Sequence, residues 1–430
     1  MRLAEKLEIL GEAARYDASC ASSGSGRQGK RGGLGNAHMA GICHTWAEDG
    51  RCVSLLKILL SNDCVFDCAY CANRRTADIR RASFTPEEVA ELTAGFYRRN
   101  YIEGLFLSSA VVGTPDKTME LMLSALKILR VKHGFCGYIH VKVIPGASKE
   151  LIYAVGLYAD RVSVNIELPS EAGLKLLAPQ KTKERIVVPM ERIRLLKEQN
   201  GEERKLFRNA PLFAPAGQST QMIVGATGDS DRQILTLSSA LYAKYSMKRV
   251  YFSAYVPVGN HPSLPPPEVK APLRREHRLY QADWLMRFYS FSADEITENG
   301  DQLDLDLDPK CAWALRHPEN FPVDVNSADY MELLRVPGIG VRSARRIIAA
   351  RKTKKLDIGD LKKLGAVTKR AVYFTSFGGR FYGLRSDSRA VLRAQLSDDR
   401  VNSLQMTLDE SAPLISVSLA GLPALGGGVG

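Results

Sequence analysis

Between residues 53 and 256 the chain alternates short apolar, β-branched runs with amphipathic stretches of helical period. VSLLKILL (53–60), GLFLSS (104–109), GYIHVKVI (137–144), RVSVNIEL (161–168), QMIVG (221–225) and RVYFSAYV (249–256) read as strands. Helices are expected between them: one opening at Thr85 with Pro86 in its first position and Glu88 closing a capping box, others over about 116–132, 181–199 and 230–245. Leu3, Leu7, Leu10 and Ala14 recur at helical spacing before Tyr16, and 276–290 reads as a helix behind the Pro-rich stretch 260–275. Six strands separated by helices demand right-handed crossovers and a parallel sheet, open or curled into a barrel. Either form puts its site at the C-terminal ends of the strands.

Four domains are expected: a Cys-containing N-terminal segment (1–52) holding a flexible Gly/Ser loop (21–37), a barrel with a helical extension (53–309), a basic module (310–396) and a disordered tail (397–430). Composition changes the picture in two ways. Lys plus Arg number 59 against 47 Asp plus Glu, a formal charge of +12 that favours an anionic partner. Of these, 17 basic against 7 acidic residues lie between 316 and 393, so most of the excess belongs to the C-terminal module. Eight cysteines behind a charged opening, MRLAEKLEIL, fit a cytoplasmic, reducing setting in which thiols serve metal or redox chemistry. The uncharged stretch 411–430 is broken by Pro413, Pro423 and glycines and fails as a membrane span.

Directly after the first strand stands Cys64-Val65-Phe66-Asp67-Cys68-Ala69-Tyr70-Cys71, a Cys-x3-Cys-x2-Cys run with an aromatic before the last cysteine. Three thiolates on one loop can hold three irons of a [4Fe-4S] cluster and leave the fourth open. The alternatives are a zinc site, which normally takes four protein ligands with paired Cys-x2-Cys knuckles, and three buried thiols. Spacing and aromatic together resemble the radical S-adenosylmethionine (SAM) superfamily. The resemblance implies a partial (β/α)6 TIM-like barrel, a cluster on Cys64, Cys68 and Cys71, SAM chelated to the open iron, and reductive cleavage of SAM to a 5′-deoxyadenosyl radical. It implies SAM contacts at Tyr70, at Ser108 and Ser109, at Ser163, Asn165 and Glu167, and at Gly225 in a glycine-containing, adenine-contacting stretch. Leu107-Ser108-Ser109-Ala110 departs from the family's Gly-Gly-Glu stretch in lacking the glutamate.

Upstream, Cys20, Cys43 and Cys52, with His44, either form a second metal site or pack as small apolar groups. Cys52 lies a strand's length, roughly 25 Å, from Cys64 and cannot serve the first cluster. Cys136 and Cys311 are expected in the core.

Residues 325–352 resolve into two short helices around Val336-Pro337-Gly338-Ile339-Gly340, the first capped by Asn326 or Ser327. This resembles a helix-hairpin-helix motif, making a small all-α module. Gly338, Ile339 and Gly340 bring backbone amides towards a phosphate, with Arg342, Arg345 and Arg346 adding charge. A second copy without Gly-x-Gly follows at 360–370. Taken with the Tyr16-Asp17-Ala18-Ser19-Cys20 opening, the chain resembles bacterial radical SAM proteins of DNA modification or repair, of a type linked to uracil-DNA glycosylases. That resemblance implies DNA bound through its backbone, a reductant such as flavodoxin or ferredoxin, and a partner related to uracil-DNA glycosylase. Two other readings stay open: an RNA-modifying enzyme of the same chemistry, and a non-catalytic iron-sulfur DNA-binding redox module.

Overall fold

The computed structural model describes residues 1–14, 42–46, 52–258, 261–298, 300–383 and 389–397, with backbone alone at 42–46, 52, 53 and 389. The expected Gly/Ser loop, Cys20 and the segment from 398 onward lie outside the described residues. The chain divides into two compact units that meet between Leu303 and Asp304.

Unit 1 begins with α1 (Leu3–Ala14), followed by β1 (Ile42–Trp46), β2 (Cys52–Leu59), α2 (Pro86–Arg98), β3 (Gly104–Ser108), α3 (Pro115–Lys127) and β4 (Tyr138–Lys142). It continues through α4 (Lys149–Tyr158), β5 (Arg161–Ser163), α5 (Glu171–Leu177), α6 (Lys183–Leu206), β6 (Gln218–Val224), α7 (Asp231–Tyr245), β7 (Arg249–Ala254), α8 (Leu273–Phe288) and α9 (Ala293–Ile296). The sheet runs β1 to β7 in chain order, with β2 to β7 parallel and β1 antiparallel on β2. A helix between each successive parallel pair is TIM-type winding, here a partial (β/α)6 barrel. Leu105, Leu107, Ile139, Val141 and Val162 are fully buried, as are Met119, Met122, Leu126, Ile152 and Val155 of the helices; this is the continuous apolar core that a helix-covered parallel sheet needs. On the alternate positions of three strands Lys57, Phe106 and His140 stand in register, the ammonium 5.9 Å from the Phe106 ring and the two rings edge to face at 4.5 Å.

Six parallel strands do not close a barrel, so β7 is an edge whose amides need partners. Helix side chains supply them. Val250 N–H donates to Tyr242 Oη at 3.0 Å, Phe252 N–H to Tyr280 Oη at 3.0 Å and Ala254 N–H to Glu276 Oε2 at 2.6 Å. Three alternate donors of the edge are thereby satisfied from α7 and α8.

The capping box at Thr85 and Glu88 forms as expected. Two expectations are corrected. The strand 161–168 ends as regular structure at Ser163, because Glu167 turns the chain with φ 67°; the segment stays bonded to β6 through Glu167 N–H to the Gln221 carbonyl (3.1 Å) and Ile223 N–H to the Glu167 carbonyl (2.7 Å). Cys136 is exposed in the turn before β4, whereas Cys311 is buried. In β1 the register sets Cys43 opposite Leu55, His44 opposite Ser54 and Trp46 opposite Cys52.

Unit 2 contains α10 (Pro309–Arg316), β8 (Val323–Asp324), α11 (Tyr330–Arg335), α12 (Val341–Ala350), α13 (Ile358–Lys363), α14 (Thr368–Ala371), β9 (Thr375–Phe377), β10 (Arg380–Phe381) and α15 (Arg389–Leu396). Its helices are accompanied by a small sheet of order β10-β9-β8. Asp329, not Asn326 or Ser327, caps α11, in a capping box with Glu332. Asn326 instead pairs its amide with both backbone groups of Leu356, at 3.1 and 2.8 Å.

Candidate cluster loop and hairpin

The cysteine loop leaves β2 at its C-terminal end and returns at Ser83, where Ser61 and Ser83 form an antiparallel bridge. Asn62, buried, holds both ends: its amide donates to the Arg80 carbonyl at 2.9 Å and its oxygen accepts from Ala82 N–H at 2.8 Å. Arg81 binds the loop from within. Its guanidinium donates to the carbonyls of Asn62 (2.5 Å), Asn73 (3.1 Å), Arg74 (2.7 Å), Arg75 (3.4 Å) and Ala77 (2.9 Å). A planar fork with five donors suits such a set of converging carbonyls. Loop amides complete the frame, Val65 to the Val111 carbonyl and Ala69 to that of Leu177.

Within this frame Cys68 is buried and Cys64 and Cys71 are partly exposed. Burial pushes the Cys71 thiol up to about 12 and raises that of Cys68; both feel the Cys64 charge as a further upward push. The three thiols therefore share one electrostatic neighbourhood. No group of three or more His, Cys, Asp or Glu side chains among the described residues is gathered around a single-ion position. Three sulfur donors on one loop suit three corners of an iron-sulfur cube and leave the last free. Loading the site means removing protons from thiols that burial keeps protonated, so iron must supply the charge that drives it.

Tyr70 is packed under the loop, and beside it stands a residue that sequence reasoning missed. Lys181, in the turn between α5 and α6, places Nζ 2.8 Å from Glu167 Oε1, 3.4 Å from Tyr70 Oη and 5.8 Å from the centre of the Tyr70 ring. Burial alone would lower the Lys181 pKa, but the charge of Glu167 and its hydrogen bond hold it well above the ordinary value. Burial, reinforced by Glu167, raises the Tyr70 phenol well above its own. Lys181 is thus kept protonated and the phenol neutral. A lysine one hundred and eleven positions from Tyr70 carries no local motif, and only the winding of the sheet brings it there.

The remaining expected contacts are placed as follows. Ser108 is fully buried at the end of β3, and its hydroxyl has no partner among the described residues. Ser109 turns its hydroxyl to the adjacent Ala110 carbonyl at 2.7 Å. Ser163 and Asn165 are buried, the Asn165 amide 3.3 Å from Gln221 Oε1. Gly225 follows β6 with φ 83°, and a side chain there would meet Pro272 Cγ at 2.7 Å.

In unit 2, α11 and α12 enclose Gly338-Ile339-Gly340, with Ile339 buried and Arg342, Arg345 and Arg346 exposed along α12. The two glycines differ. Gly338 has φ 86°, and a side chain would fall 2.5 Å from the Val367 carbonyl oxygen. Gly340 has φ −100°, which any residue adopts, so the backbone there does not itself demand glycine. The weaker second copy does form a hairpin. Gly365, φ 87°, lies between α13 and α14 against Arg346 and Ser343, while Gly338 lies against Val367 and Ala371, so each hairpin seats its glycine on the other. Val367 N–H donates to the Gly338 carbonyl at 2.8 Å.

Residues 58–237 match the radical SAM superfamily, and 319–369 match a helix-hairpin-helix motif. The first match contains the three cysteines and the Lys181–Glu167 pair, the second the paired glycines. The chain thus contains a radical SAM domain, of a superfamily that uses a [4Fe-4S] cluster and SAM, and a helix-hairpin-helix motif in unit 2. Among solved structures it is similar to HydG, a maturase of the [FeFe]-hydrogenase, at 15% identity and TM-score 0.40 over 53% of this chain and 48% of that one. It is similar also to the FeFe-hydrogenase maturase HydG from Carboxydothermus hydrogenoformans, at 14% identity and TM-score 0.37 over 47% and 46%. The chain spans about half the length of these structures. No curated protein matches it. Among the described residues no helix is long and apolar enough to cross a membrane.

Proposed function

We propose that the protein modifies or repairs nucleic acid, and that the nucleic acid is DNA. The observation that carries this reading is the presence, in one chain, of a three-cysteine loop and a paired hairpin whose three exposed arginines suit a phosphate backbone. Cys64, Cys68 and Cys71 hold the cluster. Tyr70, Ser108, Ser163, Asn165 and Gly225 line the SAM position, where the buried Ser108 hydroxyl offers an unused donor. Glu167 is held by Lys181, which fixes the strained turn at the end of β5 and keeps the phenol of Tyr70 in place. A reduced cluster with SAM bound supplies hydrogen-abstracting radical chemistry; the chain supplies position and exclusion of water.

Ser109, committed to Ala110, does not reach the cofactor in this reading. Gly338 shapes the hairpin, the Gly340 backbone meets the phosphate, and Arg342, Arg345 and Arg346 add charge without reading sequence. A cytoplasmic reductant of the flavodoxin or ferredoxin class and a uracil-DNA-glycosylase-like component complete the proposal. Incubation with SAM, reductant and deuterated DNA or tRNA tests it. Deuterium passing from DNA into 5′-deoxyadenosine supports the reading, and transfer from tRNA alone replaces it with the RNA-modifying one. Turnover of SAM indifferent to both polymers overturns it.

A further inference from the structure

At the N-terminal edge of the unit 1 sheet, the end opposite the cysteine loop, basic side chains from three separate elements meet around one glycine. β5 opens at Arg161, β6 follows Gly217, β7 follows Lys248, and α6 contributes Lys197. Gly217 has φ 78°; a side chain placed on it would come within 2.8 Å of Lys248 Cγ and 3.6 Å of Lys197 Nζ. Val162 N–H donates to the Gly217 carbonyl at 3.3 Å, which sets the neighbouring Arg161 beside the same position. The two lysines and the arginine thus flank a point of backbone that carries no side chain.

The cluster is not balanced from within. Lys197 is half-buried and its ammonium donates to the carbonyls of Ala214 and Pro215, both at 3.0 Å, which leaves one of its three donors over. Burial and the like charges of Lys248 and Arg161 depress its pKa, and no carboxylate among the described residues offsets them. Asp160, the nearest acid in sequence, directs Oδ2 to Arg130 and to Ile139 N–H, both at 2.8 Å. The Arg161 Nε is buried without a partner among the described residues. Like charges gathered at a partly desolvated position, with donors unspent, form a site complementary to a compact dianion or phosphodiester.

We propose that Arg161, Lys197 and Lys248 bind a phosphate group at the N-terminal mouth of the barrel. Its source is the backbone of a bound nucleic acid or a free nucleotide. The site is read from unit 1 alone and stands whether or not the hairpin binds DNA.

The test uses the full chain and the double variant Arg161→Gln/Lys248→Gln; Lys197 is kept because it also ties the turn before β6. Two measurements separate the sources: anisotropy of a labelled oligonucleotide between about 50 and 200 mM salt, and thermal melting with inorganic phosphate or ADP against chloride of equal ionic strength. A salt slope shallower by about one to two in the double variant assigns a polymer phosphate. Melting protected by phosphate or ADP in the wild type alone, at an unchanged slope, assigns a free nucleotide. Equal slopes and equal melting responses in the two proteins overturn the site. The double variant should melt no lower than the wild type, since repulsion is relieved. The charge-keeping pair Arg161→Lys/Lys248→Arg should restore whichever effect is lost, and failure to restore it also overturns the site. A hairpin variant, Arg345→Gln/Arg346→Gln, run beside it reports on the DNA reading separately.

Discussion

Lys181 and Glu167 form a buried ion pair, Nζ to Oε1 2.8 Å, directly beneath the aromatic ring that precedes the last cysteine. Glu167 is held in a left-handed backbone conformation that costs a non-glycine residue about 1–3 kcal/mol. A charge left alone in this position has no water to turn to. Lys181→Met and Glu167→Gln should each destabilise unit 1 by about 3 kcal/mol, while the double variant should recover part of the loss, because no unpaired charge remains. Denaturant unfolding of the three proteins checks this; additive losses in the double variant would show that the two side chains act separately.

Arg81 ties five loop carbonyls together, and no lysine can reproduce that fork. Hydrogen bonds from a charged group contribute about 1.5–3 kcal/mol each. Arg81→Lys should fold, yet lose its cluster at least about tenfold faster on exposure to a chelator, a factor worth about 1.4 kcal/mol. Iron content and the charge-transfer absorption of the cluster, followed over time, give the answer.

The two glycines of the first hairpin should separate folding from binding. Gly338→Ala forces a Cβ onto the Val367 carbonyl at a positive φ and should destabilise unit 2 by at least about 2 kcal/mol. Gly340→Ser, at an ordinary N-cap conformation, should leave stability level or higher. It should nonetheless weaken DNA binding, since its side chain stands between backbone and phosphate. Melting curves and DNA titrations on both variants read the contrast.

Lys310 donates to the Ile339 carbonyl at 2.7 Å beneath the hairpin, and burial brings its pKa down to about 7. The unfolded chain therefore binds the proton more tightly than the folded one. Between pH 7 and the ordinary lysine range near 10, this group makes stability rise with pH, by at most about 1.4 kcal/mol per unit. Lys310→Met should flatten that rise. The comparison is of unfolding free energies across the interval.

Much of the barrel was legible because a parallel strand buried on both faces leaves an unbroken apolar run, as in Gly104–Ser108, and because Thr85 and Ser230 sit three residues before a Glu or Gln that closes a capping box. The hidden parts lacked such marks. β1, ICHTW, is short and of mixed character and gains its order only by pairing with β2. α4, KELIYAVGLY, is apolar nearly throughout, so its period is blurred; Gly156 within it looks like a breaker but makes room for Phe213, whose ring would lie 2.1 Å from a side chain there. The cysteines were legible from spacing alone. Arg81 and Lys181 were not, since one acts through carbonyls that every residue carries and the other meets Tyr70 only through the fold.

The most direct measurement is reduction of the anaerobically reconstituted protein in the presence of SAM, with 5′-deoxyadenosine quantified and the electron paramagnetic resonance spectrum of the cluster recorded with and without SAM. The wild type should shift its spectrum on adding SAM and release 5′-deoxyadenosine, and Cys64→Ala, Cys68→Ala and Cys71→Ala should do neither. Bound zinc in place of iron, or a reducible cluster whose spectrum ignores SAM and which releases nothing, would contradict the account.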